Sequence, residues 1–225
     1  MEINLSAIEY VGQIRSSESS CIFRTRWRGK DCIMKVYHSI EASHADPTDR
    51  EVDIFRCESK AYTRLKAHGL CDEGYVPDFY GLIKQINPME WSPHLQEFLK
   101  DRLPPNAVLL EYVPNLQQID LSTFSMKRVH KLRQILSEIH RAGIYHGDPF
   151  PRNMMVQKSS DRVLWIDFDR AQTFSYDSIT TRQRQWLEEE DELVDYFVDA
   201  LAADYKEGKI HRTWECYYDS IYEFS

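Results

Sequence analysis

Short apolar runs bounded by turn residues predict several β-strands in the first half of the chain. Residues 31–37 read DCIMKVY and residues 107–113 read AVLLEYV, and a neighbouring strand is expected over residues 80–83. Residues 12–28 are expected to form a hairpin. These patterns predict several β-strands in the N-terminal part.

Apolar residues at helical spacing predict a first helix over residues 47–67. Pro47 suits a first helical turn, Phe55, Tyr62 and Leu65 repeat on one face, and Gly69 follows as a stop. The stretch 85–106 contains four prolines and is longer than an ordinary connection. We expect a short helix around residues 93–99 and consider that this insertion contacts a partner.

Two further helices are predicted in the second half of the chain. Ser125 suits the N-cap of the first of them and Gly143 its end; its apolar face consists of Val129, Leu132, Ile135, Leu136 and Ile139. The second helix begins near Trp186 in the acidic sequence WLEEEDELVDYF, and we expect residues 188–192 to form a solvated face. His130 and His140 are interpreted as ordinary structural or surface residues.

The strongest chemical pattern lies in residues 146–155, HGDPFPRNMM, and residues 163–169, VLWIDFD. Asp148 follows a glycine in a constrained loop, where its carboxylate can orient a hydroxyl and accept its proton. Asn153 and Asp167 offer hard oxygens that suit Mg²⁺. An aspartate such as Asp148, taken alone, is more often a turn residue. The spacing of five residues together favours a phosphoryl-transfer site: His146, Asp148, Asn153, Asp167 and Phe168.

These residues resemble the motifs of a known family. His146, Asp148 and Asn153 resemble the catalytic loop of the protein kinase-like superfamily, and residues 167–169 resemble its D-F-G motif. The H-G-D form looks closest to the aminoglycoside and choline phosphotransferases and to small atypical, fungal kinase-like proteins. The resemblance implies an α+β, bilobal fold with an antiparallel sheet in the N-terminal lobe and a shortened, mainly helical C-terminal lobe.

The resemblance also implies a nucleotide site. Lys35 matches the lysine of the V-A-I-K strand, which contacts the α- and β-phosphates of ATP, and Glu58 is the expected partner of that lysine, with Glu51 as the alternative. Backbone groups near Glu111 and Val113 would meet the adenine edge. Without the other motifs, Lys35 would read as an edge-strand lysine that faces water.

The chain departs from the family pattern at three places. A serine cluster with one glycine, Gly12, stands where G-x-G-x-x-G is expected, which leaves nucleotide affinity open. No A-P-E follows Asp169, so a small acceptor or a protein bound in another way is favoured over a linear peptide. Arg152 matches a D-x-x-x-R-N order, in which it would neutralise charge on the transferred phosphate, although a surface arginine is equally plausible.

Composition narrows the class of protein. The 225 residues show no composition break, which predicts one domain over 1–225, with the N-terminal lobe and hinge in 1–114 and the C-terminal lobe in 115–225. The net charge of −8 makes nucleic acid an unlikely partner, although Arg24, Arg26, Arg28 and Lys30 form a local basic patch. Five scattered cysteines and the lack of a long apolar run predict a soluble cytoplasmic or nuclear protein without a membrane segment.

The resulting hypothesis is an ATP- and Mg²⁺-dependent phosphotransferase that acts on a hydroxyl of a small molecule or protein. Two alternatives remain open at this stage. One is a pseudokinase that serves as a nucleotide-binding or scaffolding module, and the other is transfer of a nucleotidyl group instead of a phosphoryl group.

Overall fold

The computed structural model describes residues 2–218 and has mixed α+β architecture, which confirms the predicted fold class. The chain forms two compact units: a sheet unit, with the residues up to 63 and 78–112, and a helical unit, with residues 64–77 and those from 113 onward. The prediction of one domain with a boundary near residue 114 stays a prediction. Within residues 2–218, no helix is both long enough and apolar enough to cross a membrane.

The sheet unit contains five antiparallel strands: β1 Ile8–Ser16, β2 Ser20–Trp27, β3 Lys30–Tyr37, β4 Phe79–Ile83 and β5 Asn106–Glu111. Their order across the sheet is β1-β2-β3-β5-β4. The predicted hairpin over residues 12–28 and the strands around Lys35 and residues 80–83 are therefore confirmed. The strand predicted over residues 107–113 is confirmed up to Glu111, where β5 ends.

The two faces of this sheet have different surroundings. Phe23, Met34 and Leu109 are cross-strand neighbours on one face and are fully buried. Leu95 and Phe98, from the insertion 85–106, belong to the same apolar core. The insertion therefore covers one face of the sheet. Lys35 lies on the other face, because side chains alternate along a strand.

The insertion contains two 3₁₀ helices, Pro88–Trp91 and Gln96–Lys100, rather than the single short helix predicted around residues 93–99. It also contacts the first hairpin. The Tyr10 ring stacks on His94 with 3.5 Å between ring centroids, and the Ser16 hydroxyl donates to Glu97 at 2.8 Å. The first role of the insertion is thus to complete the core of the sheet unit.

Helix α1 spans Ile54–Ala67, so the predicted start at Pro47 is wrong. The helix begins after Asp53, whose side chain accepts a hydrogen bond from the Arg56 N–H at 3.0 Å. The Asp53 carbonyl accepts from the Cys57 N–H at 2.8 Å. This pair of bonds is the N-cap arrangement, and it outweighs the weaker signal of a proline at a first turn.

In the helical unit, α2 spans Met126–Arg141 and is capped by the Ser125 hydroxyl, as predicted. Helix α3 spans Thr181–Glu207, and α4 spans Trp214–Tyr218. The short strands β6 Leu116–Gln118, β8 Met154–Gln157 and β9 Arg162–Trp165 form one sheet. β7 Ile144–Tyr145 pairs with β10 Gln172–Thr173. Shorter 3₁₀ segments of this unit are Pro151–Asn153 and Tyr176–Ser178, and another, Leu5–Ala7, belongs to the sheet unit.

Asp204 fastens the residues that follow α3. Its fully buried carboxylate accepts hydrogen bonds from the N–H groups of His211, Arg212 and Thr213 at 2.9–3.0 Å, and from the Thr213 hydroxyl at 2.8 Å. Burial acts to raise the pKa of Asp204, but these hydrogen bonds outweigh it and lower the pKa from 3.8 to about 2. The ionised form therefore stabilises the fold.

We predict that Asp204→Asn lowers the free energy of unfolding at neutral pH by ~1–3 kcal/mol, because several donors lose a charged acceptor. The folded-state pKa lies below the unfolded one, so this contribution is complete above pH 3.8 and is lost as the pH falls toward about 2. Urea unfolding of wild type and variant should show a stability gap that closes over that window. Asp199→Asn, at an exposed position of α3, is the matched control, and an equal loss in both variants would contradict the prediction.

Candidate active site

The catalytic-loop sequence 146–153 connects β7 to β8 in the helical unit and ends in the 3₁₀ segment Pro151–Asn153. Gly147 adopts a left-handed φ of +81°. A Cβ atom added at Gly147 would lie 2.4 Å from the carbonyl oxygen of Arg170. A side chain is therefore excluded by both conformation and space, which explains the glycine of H-G-D in this chain.

The Asp148 carboxylate is buried and accepts three hydrogen bonds. Arg152 donates from Nη2 to Oδ1 at 2.5 Å and from Nε to Oδ2 at 3.1 Å. Asn153 donates from Nδ2 to Oδ2 at 2.7 Å and to the Asp148 carbonyl at 2.9 Å. Three of the predicted site residues are thus brought together, and the carboxylate has one fixed orientation.

Asn153 and Asp167 are connected through the β8–β9 pair. Met154 of β8 pairs with Trp165 of β9, and the Ile166 N–H donates to the Asn153 carbonyl at 3.1 Å. Asn153 and Asp167 therefore lie at the same end of this strand pair. Asp167 is partly exposed and has a φ of +64°, an uncommon conformation for a residue with a side chain.

The chemistry of these donors fits Mg²⁺. The Asn153 amide nitrogen is used on Asp148, which leaves the amide oxygen as the group for a cation. Within residues 2–218 there is no group of three or more His, Cys, Asp and Glu that could hold a metal. An amide and a carboxylate oxygen agree with an ion that takes its other ligands from water and nucleotide phosphates.

Glu190 of α3 is a functional candidate that the sequence analysis missed. Its carboxylate is 3% exposed; Oε1 accepts from the Gly147 N–H at 2.8 Å and Oε2 from the His146 N–H at 3.0 Å. Oε2 also accepts from His140 Nε2 at 2.7 Å. The predicted solvated face of residues 188–192 is therefore wrong at Glu190, and His140 is buried beside it.

A sequence signal for Glu190 did exist. Leu187 precedes it by three residues and Val194 follows by four, so Glu190 lies on the apolar stripe of α3. A carboxylate in that stripe must find buried partners, and the start of the catalytic loop provides them.

His146 connects the catalytic loop to the segment that contains Asp167. Its Nε2 lies 3.1 Å from the carbonyl oxygen of Ile166, the residue before Asp167. Its ring centroid lies 5.1 Å from that of Trp165 and 4.6 Å from that of Phe168. His146 thus fixes the spacing between the Asp148 loop and the metal-binding candidate.

In the sheet unit, the Lys35 ammonium lies 2.8 Å from the Glu58 carboxylate, and the two side chains are 8% and 2% exposed. The Tyr37 hydroxyl donates to the same Glu58 oxygen. The alternative partner, Glu51, instead pairs with Lys60 at 3.0 Å. The structure thus pairs Lys35 with Glu58, while the role of the pair toward a nucleotide stays a prediction.

The structure limits which backbone groups near Glu111 and Val113 could make the predicted contacts with adenine. The Glu111 N–H donates to the Asp78 carbonyl at 2.8 Å, and the Glu111 carboxylate accepts from the Asp78 N–H at 3.0 Å. The Glu111 N–H is therefore committed to the sheet, and the prediction there rests on its carbonyl oxygen. Val113 belongs to the helical unit and is buried.

The serine cluster forms a self-contained turn between β1 and β2. The Ser17 hydroxyl donates to the Ser20 carbonyl at 3.0 Å and accepts from the Ser20 N–H at 3.1 Å. A Cβ atom at Gly12 would meet nothing within 4 Å, so no neighbouring group of the protein requires a glycine at this position. The Ser17 hydroxyl and the Ser20 N–H, which were among the groups expected to bind phosphate, thus form hydrogen bonds within the turn instead.

The model of the lipopolysaccharide kinase (Kdo/WaaP) family matches residues 105–194. The match covers less than half of the chain, but it includes β5, α2, the catalytic loop and Asp167. Over these residues the chain is similar to a kinase family of the protein kinase-like superfamily. No curated protein matches the sequence. The predicted closeness to the aminoglycoside and choline phosphotransferase branch stays a prediction for this kinase-like chain.

The family match also indicates a phosphotransferase. Asp148, Arg152, Asn153, Asp167 and Glu190 lie within the matched segment of this kinase-like protein, whereas Lys35 and Glu58 lie outside it. The Lys35–Glu58 ion pair is therefore an observation independent of the match.

We predict that Glu190→Gln loosens the start of the catalytic loop. The neutral amide is a weaker acceptor for the two N–H groups, so amide hydrogen exchange at His146 and Gly147 should accelerate, with a stability loss of ~1–3 kcal/mol. Glu192→Gln, at an exposed position of the same helix, is the matched control. Exchange at residues 146 and 147 that does not differ between the two variants would show that Glu190 does not position the loop.

Proposed function

We propose that this protein transfers the γ-phosphoryl group of ATP, in the presence of Mg²⁺, to a hydroxyl group of a small molecule or protein. The observation that carries the proposal is the Asp148 carboxylate, which is fixed by Arg152 and Asn153 beside the segment that presents Asp167. Phosphoryl transfer requires mainly positioning and charge stabilisation from the protein, and this arrangement supplies both.

Asp148 is the proposed base. Its orientation is set by Arg152 and by both bonds from Asn153, so the carboxylate loses little freedom when a hydroxyl binds. An acceptor hydroxyl would donate to one of its oxygens. The carboxylate would take the proton as the hydroxyl oxygen bonds to the γ-phosphorus, while the bond from that phosphorus to the β–γ bridging oxygen breaks and ADP leaves.

Arg152 is proposed to have a second role in the reaction. Its side chain is 33% exposed although it is paired with Asp148. Its guanidinium can therefore contact a bound phosphoryl group and stabilise the charge that develops there. This supports the catalytic interpretation of Arg152 over that of an ordinary surface arginine.

Asn153 and Asp167 are the residues proposed to hold Mg²⁺, through the Asn153 amide oxygen and the Asp167 carboxylate. When bound, the ion neutralises charge on the β- and γ-phosphate oxygens. Lys35 is proposed to contact the α- and β-phosphates, and Glu58 and Tyr37 orient it from within the sheet unit.

The pseudokinase alternative is favoured by one specific observation, the Ser17–Ser20 turn. Its internal hydrogen bonds and the lack of a glycine-rich sequence reduce the backbone donors expected over a triphosphate. A protein of this kind would bind nucleotide and transfer nothing.

We predict that Asp148→Asn abolishes transfer while the fold persists. The amide of asparagine cannot accept a proton, so release of ADP from Mg²⁺–ATP, with water or the protein's own hydroxyls as acceptor, should fall by about 10²-fold or more. Asp199→Asn is the matched control, and thermal unfolding checks the fold of both variants. Transfer retained in Asp148→Asn would contradict the assignment of the base, and no transfer in wild type would favour the pseudokinase.

A further inference from the structure

A cavity of about 500 Å³ opens within the helical unit, and none of its lining residues belongs to the proposed active site. One wall is an exposed face of α2 with Lys127, His130, Lys131 and Gln134, which follow one another at helical spacing. The other walls are residues 73–75 and residues 161–163. Cavities of this size hold small organic ligands.

The lining carries an excess of positive charge in a protein whose net charge is −8. Lys127, Lys131 and Arg162 line the cavity with the carboxylates of Glu73 and Asp161. Asp161 is already paired with Arg128 at 2.6 Å and with Lys127 at 3.3 Å. The Asp161 carboxylate is therefore already engaged, and the hydrogen bonds of the Lys131 ammonium go to neutral groups.

Lys131 is the centre of this charge. Its ammonium donates to the Tyr75 hydroxyl at 3.0 Å and to the Gln134 side-chain oxygen at 3.3 Å, and it lies 4.3 Å from the centroid of the Tyr75 ring. Both acceptors are neutral, and an ammonium group has three N–H donors. Lys131 thus keeps its charge and one donor for a ligand.

Arg162 and the 73–75 segment form a fixed wall opposite α2. Arg162 donates to the carbonyl oxygens of Gly74 at 2.8 Å and Val76 at 3.1 Å. A Cβ atom at Gly74 would lie 3.1 Å from the Arg162 Nε, and Gly74 has a φ of +71°. The absence of a side chain at residue 74 lets the guanidinium pack against the backbone, so the wall is already in place before a ligand binds.

We propose that this cavity binds a small organic anion that carries phosphate or carboxylate groups. Lys131 would bind the anionic group, and His130, the preceding residue of α2, also lines the cavity and would add a ring donor or acceptor. The four α2 residues span about 10 Å along the helix axis, which suits a compact ligand rather than a long polymer. The proposal does not depend on the phosphotransferase activity.

The test is isothermal titration of the full chain with citrate as a carboxylate probe and pyrophosphate as a phosphate probe, with trehalose as an uncharged control. Wild type is compared with Lys131→Met, which keeps the length of the side chain and removes its charge. Lys206→Met removes the same charge at an exposed position of α3 and is the matched control. Lys35→Met reports any pyrophosphate that binds at the proposed nucleotide site instead.

We expect saturable 1:1 binding of at least one anion to wild type, no binding of trehalose, and a Kd at least tenfold higher in Lys131→Met. Lys206→Met and Lys35→Met should bind as wild type does. If Lys131→Met does not fold, His130→Gln should weaken binding by a smaller factor. The proposal is overturned if neither anion saturates, if Lys131→Met and Lys206→Met have the same Kd, or if binding disappears in Lys35→Met.

Discussion

The buried carboxylate of Glu190 is the constraint on which the geometry of the catalytic loop depends. A charged group removed from water is costly unless it is hydrogen-bonded and paired, and Glu190 is satisfied by two backbone N–H groups and His140. Those N–H groups belong to His146 and Gly147, so the loop begins at a fixed place relative to α2 and α3. Asp148 follows directly, and Arg152 and Asn153 set the direction of its carboxylate.

A comparable arrangement exists in the sheet unit. Lys35 and Glu58 form a nearly buried ion pair, and Tyr37 donates a hydrogen bond to the glutamate. The apolar side chains of the insertion cover one face of the sheet, and Lys35 lies on the other face, where Glu58 of α1 buries it. Each unit thus contains buried charged residues, Glu190 in the helical unit and the Lys35–Glu58 pair in the sheet unit. Charged groups in such surroundings are often found at functional sites.

Features set by neighbouring residues could be predicted from the sequence. The strand around Lys35, the first hairpin and the Ser125 cap follow from apolar runs, turn residues and local hydrogen bonding. The choice of Glu58 over Glu51, which followed from the resemblance to related sequences, agrees with the Lys35–Glu58 ion pair in the structure. The beginning of α1 was missed because the Asp53 cap competes with several acidic residues and a proline upstream.

Features set by distant residues could not be predicted in the same way. Glu190 lies in a run of acidic residues that reads as solvated, and its partners are 43 to 50 residues away in the chain. The packing of Leu95 and Phe98 depends equally on strands far away in sequence. The prediction of adenine contacts by backbone groups near Glu111 did not include the hydrogen bond from the Glu111 N–H to the Asp78 carbonyl oxygen, because Asp78 lies 33 residues earlier in the chain.

Asp167 is proposed to help hold a metal nucleotide, and a thermal-shift titration with ATP can test this role. Wild type, Asp167→Ala and the surface control Asp199→Ala would be titrated with ATP in the presence and absence of Mg²⁺. We expect ATP to raise the Tm of the wild type only in the presence of Mg²⁺, because a ligand stabilises the state to which it binds. The same rise should occur in Asp199→Ala and be absent in Asp167→Ala. An equal rise in wild type and Asp167→Ala, or no rise in wild type, would contradict it.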